Sequence, residues 1–106
     1  MWFSLRMKDE INKADYITGN SEILTMYTSG QKSIYEFYPD KIIMQNQSKQ
    51  ITDTLFLTVG EVHLTYIAPK LINFIQFNYT YNGNLSFFYH HKTYSVRYLF
   101  DSIRED

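Results

Sequence analysis

Residues 75–89 read IQFNYTYNGNLSFFY, from Ile75 to Tyr89. Ile75, Phe77, Tyr79 and Tyr81 alternate with Gln76, Asn78 and Thr80, the period of two that turns one strand face to a core and the other to water. Asn82-Gly83-Asn84 interrupts the alternation, and Leu85 to Tyr89 resumes an apolar run. Asn-Gly between two such runs predicts a tight hairpin, because both central residues of that turn need positive φ. The middle of this chain is therefore read as antiparallel sheet.

The same period extends outward in both directions. Towards the C-terminus, Tyr94, Val96, Tyr98 and Phe100 alternate and predict a last strand. Towards the N-terminus, Val62, Leu64 and Tyr66 alternate with Glu61, His63 and Thr65, the pattern of a strand with one wet face. Ile23 to Tyr27 and Ser33 to Tyr38 flank Ser29-Gly30-Gln31 and predict a hairpin, and Pro39-Asp40 predicts the next turn before a strand over Lys41 to Asn46. Gln45 to Asp53 is polar, with six amide or hydroxyl residues, and is read as a loop. The count is about six to seven strands over residues 22–100.

Only the N-terminal segment has a helical period. Phe3, Met7, Ile11 and Ala14 recur at spacings of four, four and three, while Lys8, Asp9, Asn12 and Lys13 point away. The helix is expected over residues 2–18, closing at Thr18-Gly19-Asn20. It begins with no N-cap residue ahead of its stripe, as would a helix cut from a longer one. The fold class that follows is α+β: an N-terminal amphipathic helix packed on an antiparallel β-sheet, in a single domain over residues 1–106.

Composition narrows the function classes. Seven Lys and three Arg against eleven Asp and Glu give a formal charge of -1, without the basic stripe expected of a duplex nucleic-acid binder. The absence of Cys removes disulfides, thiolate zinc sites and cysteine nucleophiles at once. No stretch approaches the roughly 18 apolar residues of a membrane span. Ten Tyr, eight Phe and eleven Ile against two Ala favour strands after the first segment.

The search for chemistry yields no catalytic, metal or cofactor residues. His63, His90 and His91 are the natural metal candidates, but adjacent His90 and His91 point to opposite strand faces. No Gly-x-Ser-x-Gly, phosphate-binding glycine loop or His-Glu-x-x-His occurs. The carboxylates Asp9, Glu10, Asp15 and Glu36 are assigned to solvated faces. The aromatics between Phe74 and Tyr94 could stack on single-stranded nucleic acid, but residues 71–91 contain no Lys or Arg to hold phosphates, so core packing is the favoured reading. The sequons at Asn46, Asn78 and Asn84 are read as chance matches.

The order of these signals resembles the soluble part of ComGF-type minor pseudopilins of the Gram-positive competence pilus. The resemblance is carried by Trp2-Phe3-Ser4-Leu5, a helix end near Tyr16, the Ser29-Gly30-Gln31 turn, Ile34-Tyr35-Glu36-Phe37-Tyr38, Lys41-Ile42-Ile43 and the Asn82-Gly83 hairpin. It implies a pilin-like fold, a structural rather than enzymatic role in starting or tipping a DNA-uptake pilus, and other pseudopilins as partners, with DNA touched only indirectly. It also implies a longer parent, anchored in the membrane before assembly through a helix half that this sequence lacks and displayed on the cell-surface pilus afterwards. Candidate partner contacts are Trp2, Leu5 and Arg6 on the helix, off its core stripe, and Gln45, Gln47 and Lys49 in the polar segment. The alternative from another class is a small-ligand carrier with a lipocalin-like barrel.

Overall fold

A computed structural model describes residues 2–47 and 50–94, with Trp2 described in its backbone only. It contains one helix, α1 (Trp2–Lys13), followed by β1 (Tyr16–Gly19), β2 (Ile23–Thr28), β3 (Gln31–Tyr38), β4 (Lys41–Asn46), β5 (Ile51–Phe56), β6 (Thr58–Val59), β7 (His63–Ala68), β8 (Leu71–Tyr81) and β9 (Asn84–His91). The class is α+β and every strand pair is antiparallel. The strands form two sheets rather than the one sheet of six to seven expected. The first is a meander in the order β1-β2-β3-β4-β5; in the second, β8 is flanked by β6 and β7 on one path and by β9.

The helix stripe packs as its spacing predicts. Phe3, Met7 and Ile11 are fully buried and Ala14 nearly so, each large side chain contributing about 1.5–3 kcal/mol by leaving water. The helix itself ends five residues before the expected position. Ala14 N–H still reaches the Glu10 carbonyl at 3.0 Å, but Asp15 N–H donates to the Tyr27 carbonyl at 2.7 Å, so the sheet captures the backbone there. Tyr16 and the β-branched pair Ile17-Thr18 then form β1, and the Tyr16 ring stacks on its cross-strand partner Tyr27 at 4.3 Å. Gly19 is thus a strand end and not a helix cap. Its φ is 131°, and a Cβ there would lie 2.1 Å from the Ile23 carbonyl oxygen.

The Gln45–Asp53 segment is also shorter as a loop than expected. Gln45 and Asn46 finish β4, and Thr52 and Asp53 belong to β5, whose ladder runs without interruption from Lys41↔Phe56 to Asn46↔Ile51. The edge strand β5 needs few apolar residues, and the polar end of β4 pairs with it through the backbone. In β7 the expected alternation breaks: register shifts fall on either side of Tyr66, which is 45% exposed and donates its hydroxyl to the Gly19 carbonyl at 2.7 Å. The two hairpin turns form as expected, with positive φ at Ser29 and Gly30 and at Asn82 and Gly83. The strand expected from Tyr94 to Phe100 lies outside the described residues beyond Tyr94.

One apolar cluster joins helix and both sheets. Phe3 meets Phe77, Tyr79 and Phe88 at ring distances of 6.3, 5.8 and 6.5 Å, and Phe77 in turn meets Phe37 of β3 at 5.2 Å. Side chains of the helix and both sheets therefore interlock in this core. Tyr94 adds a polar tie: its buried hydroxyl accepts from Ile17 N–H at 3.1 Å and donates to the Ile72 carbonyl at 2.7 Å, linking β1 to β8.

Candidate functional site

The described residues singled out for partner contact, Leu5, Arg6, Gln45 and Gln47, fall on three separate surfaces. Leu5 stands on the outer side of α1, 71% exposed, about half a turn from the core stripe. Arg6, one residue on, is engaged within the fold. Its Nε donates to Glu10 Oε1 and its Nη1 to Asp53 Oδ2, both at 3.1 Å, so it ties the helix to the edge strand β5. Burial works against its charge, but the Asp53 and Glu10 carboxylates outweigh it and raise the pKa above the ordinary arginine value. Beneath this network the Tyr35 hydroxyl is buried beside the Glu10 carboxylate. Burial first, and then the nearby Glu10 carboxylate, push its pKa well above the usual phenol range.

Gln45 lies on the opposite face of the first sheet from Arg6. Its Nε2 donates to Glu36 Oε1 at 2.7 Å, and the other oxygen of that carboxylate accepts from the Tyr38 hydroxyl at 2.9 Å. That bond raises the Tyr38 pKa. Gln47 sits just past β4, its N–H held by the Lys32 carbonyl at 3.0 Å. With Asn46, Gln50 and Thr52 the two glutamines line a polar groove of about 310 Å³ at the tip of the β4–β5 hairpin. Lys49 and the Trp2 side chain lie outside what is described.

A larger cleft of about 620 Å³ opens between the two sheets, with Ile23, Phe37 and Val62 as apolar walls and Glu22, Glu36 and Glu61 as acidic groups. Its walls are held by Phe37 N–H donating to the Glu22 carbonyl and Gly60 N–H to the Asn78 carbonyl, both at 2.8 Å. The acids come from three segments far apart in sequence, so no local motif signals them.

The histidines sit apart. His63 Nε2 is 3.8 Å from Glu61, the His91 ring packs on Phe74 at 4.6 Å, and His90 Nε2 is 2.8 Å from Asn12 Oδ1. Burial first, then the charges of Lys8, His91 and Lys92, lower the His90 pKa below its ordinary value. Among the described residues no three His, Cys, Asp or Glu side chains converge as metal ligands, and no helix is long and apolar enough to cross a membrane. The described surfaces comprise an exposed helix face, a polar hairpin groove, an acidic inter-sheet cleft and an aromatic sheet face. Comparison with protein-family models, curated proteins and solved structures returns no match, so the functional reading rests on these surfaces.

Proposed function

We propose that this chain is the soluble part of a non-catalytic assembly subunit, a minor pseudopilin of ComGF type that helps to start or tip a competence pilus for DNA uptake. The observation that supports this reading most is the division of α1. One face is consumed by the core through Phe3, Met7, Ile11 and Ala14, while Leu5 leaves an apolar side chain in water on the other. A short helix docked on antiparallel sheet with a second, unoccupied face is the arrangement that a pilin-like subunit needs to join a helical bundle. The hairpin groove with Gln45 and Gln47 is the second contact proposed for neighbouring pseudopilins. Membrane anchoring before assembly and exposure on the pilus afterwards belong to the longer parent that this reading requires. The small-ligand carrier gains no support from a core filled with Phe3, Phe77 and Phe88.

The test is genetic. In the bacterium that encodes the chain, deletion of the gene should abolish piliation and transformation, and a Leu5→Asp copy should fail to restore them although the purified variant melts like the parent. Normal piliation and transformation after deletion would refute the proposal.

A further inference from the structure

The outer face of the second sheet carries side chains that its core does not need. Directly paired strand residues share a face, and the face repeats every second residue. The register therefore sets Leu85 beside Thr80, Phe87 beside Asn78, Tyr89 beside Gln76 and His91 beside Phe74, with His63 completing the Gln76 row. Leu85, Phe87 and Tyr89 are 60%, 64% and 64% exposed, while Phe88 between them is buried in the core. Strand β9 thus turns three large apolar residues to the outside, where a sheet with one solvated face normally turns polar residues outward.

Charge is segregated in the same place. All eleven carboxylate residues lie before residue 62 or after residue 100, so β7, β8 and β9 contain none. Cations gather at the end of β9. The Lys8 ammonium reaches over from α1 to the strand edge, 5.9 Å from the Phe88 ring and 6.0 Å from the Tyr89 ring; His91 lies on the outer face opposite Phe74, whereas His90 and Lys92 are held on the helix side by Asn12. Among the described residues the acids that approach are few: Glu61 faces His63 at 3.8 Å, Asp15 acts on Lys92, and Asp9 is paired with Lys13 at 2.9 Å.

We propose that this face binds single-stranded nucleic acid, with bases stacked on Phe87 and Tyr89, base edges met by the amides of Asn78 and Gln76, and phosphates met by Lys8 and His91. Two exposed rings about 7 Å apart along a strand, set beside amides and with the Lys8 ammonium at the strand edge, are the parts from which sheet surfaces that hold single strands are made. An anionic membrane would also take apolar residues and cations, but it has no use for amides interleaved with the rings on a flat sheet. The inference does not depend on the assembly role, because it concerns the chain by itself.

The experiment is fluorescence anisotropy of a labelled oligothymidylate of about 15 nucleotides with the chain of residues 1–106 at about 50 mM salt. Saturable binding is expected, weakened about 10-fold or more by Phe87→Ala and by Tyr89→Ala. Lys8→Gln should flatten the salt dependence, and Phe56→Ala, exposed on the other sheet, should change nothing. Because both rings are exposed, the variants should melt with the parent. The proposal is overturned by absence of binding, by binding that ignores both ring substitutions, by a preference for a duplex of equal length, or by capture on phosphatidylglycerol vesicles with the oligonucleotide left free. Ring-dependent self-association with no oligonucleotide bound would overturn it as well.

Discussion

Two buried tyrosines show how one residue type makes opposite contributions. The Tyr94 hydroxyl serves both a backbone donor and a backbone acceptor, Ile17 N–H and the Ile72 carbonyl. Tyr94→Phe strands both groups, so it should cost about 2–4 kcal/mol and lower the urea midpoint accordingly. The Tyr35 hydroxyl ties no backbone groups and lies only beside the Glu10 carboxylate, so Tyr35→Phe should cost much less than Tyr94→Phe, about 0.5 kcal/mol or below. Equal losses in the two variants would contradict these bonding assignments. His90 ties stability to pH. Its folded pKa lies below the unfolded value, so the unfolded chain takes up its proton more readily. Its contribution is present above about pH 6.5 and is lost as pH falls through the folded value. His90→Gln should therefore show a smaller drop in Tm between neutral and mildly acidic pH than the parent does. At this scale the sequence was legible for the apolar stripe and opaque for hydroxyls, since nothing in Tyr35 or Tyr94 announces which carbonyl lies within reach.

Elements were readable where one face repeated and unreadable where two periods coincided. Ala14 and Ile17 are both buried and lie three apart, a spacing that continues a helix as well as it begins a strand. The decision came from the Tyr27 carbonyl accepting Asp15 N–H, a bond between segments that only the folded chain brings together. Helix faces make a sharp comparison. Ile11→Ala should cost about 2–5 kcal/mol and Leu5→Ala less than about 0.5 kcal/mol, read from chemical denaturation of the two variants. The β1–β2 turn provides another. Gly19→Ala pushes a Cβ into the Ile23 carbonyl at 2.1 Å with φ at 131°, so it should destabilise by several times the roughly 1 kcal/mol usual for a glycine change. Gly30, at φ 80° but with nothing near its Cβ position, should lose less on substitution by Ala. The polar β4–β5 hairpin escaped detection because its register is set by backbone pairing at a sheet edge, with little apolar pattern to report it.

At the scale of the molecule, Phe3 and Phe77 place the helix and both sheets in one core. Unfolding should accordingly be a single transition, with far-UV and near-UV circular dichroism coincident in the parent and in a Phe3→Ala variant. Separate midpoints for the two signals would show that the sheets hold together independently. The sequence by itself determined the α+β class, the helix stripe, the tight Ser29-Gly30 and Asn82-Gly83 turns and the alternation of β8, because periodicity and turn chemistry are local properties written residue by residue. Only the tertiary structure decided that the strands divide into two sheets and that Arg6 is bound to Asp53 instead of facing outward. It also decided that Lys8 supplies the cation missing from residues 71–91 by reaching across to Tyr89. Those outcomes depend on contacts between segments tens of residues apart, and local spacing carries no record of which distant surfaces will meet.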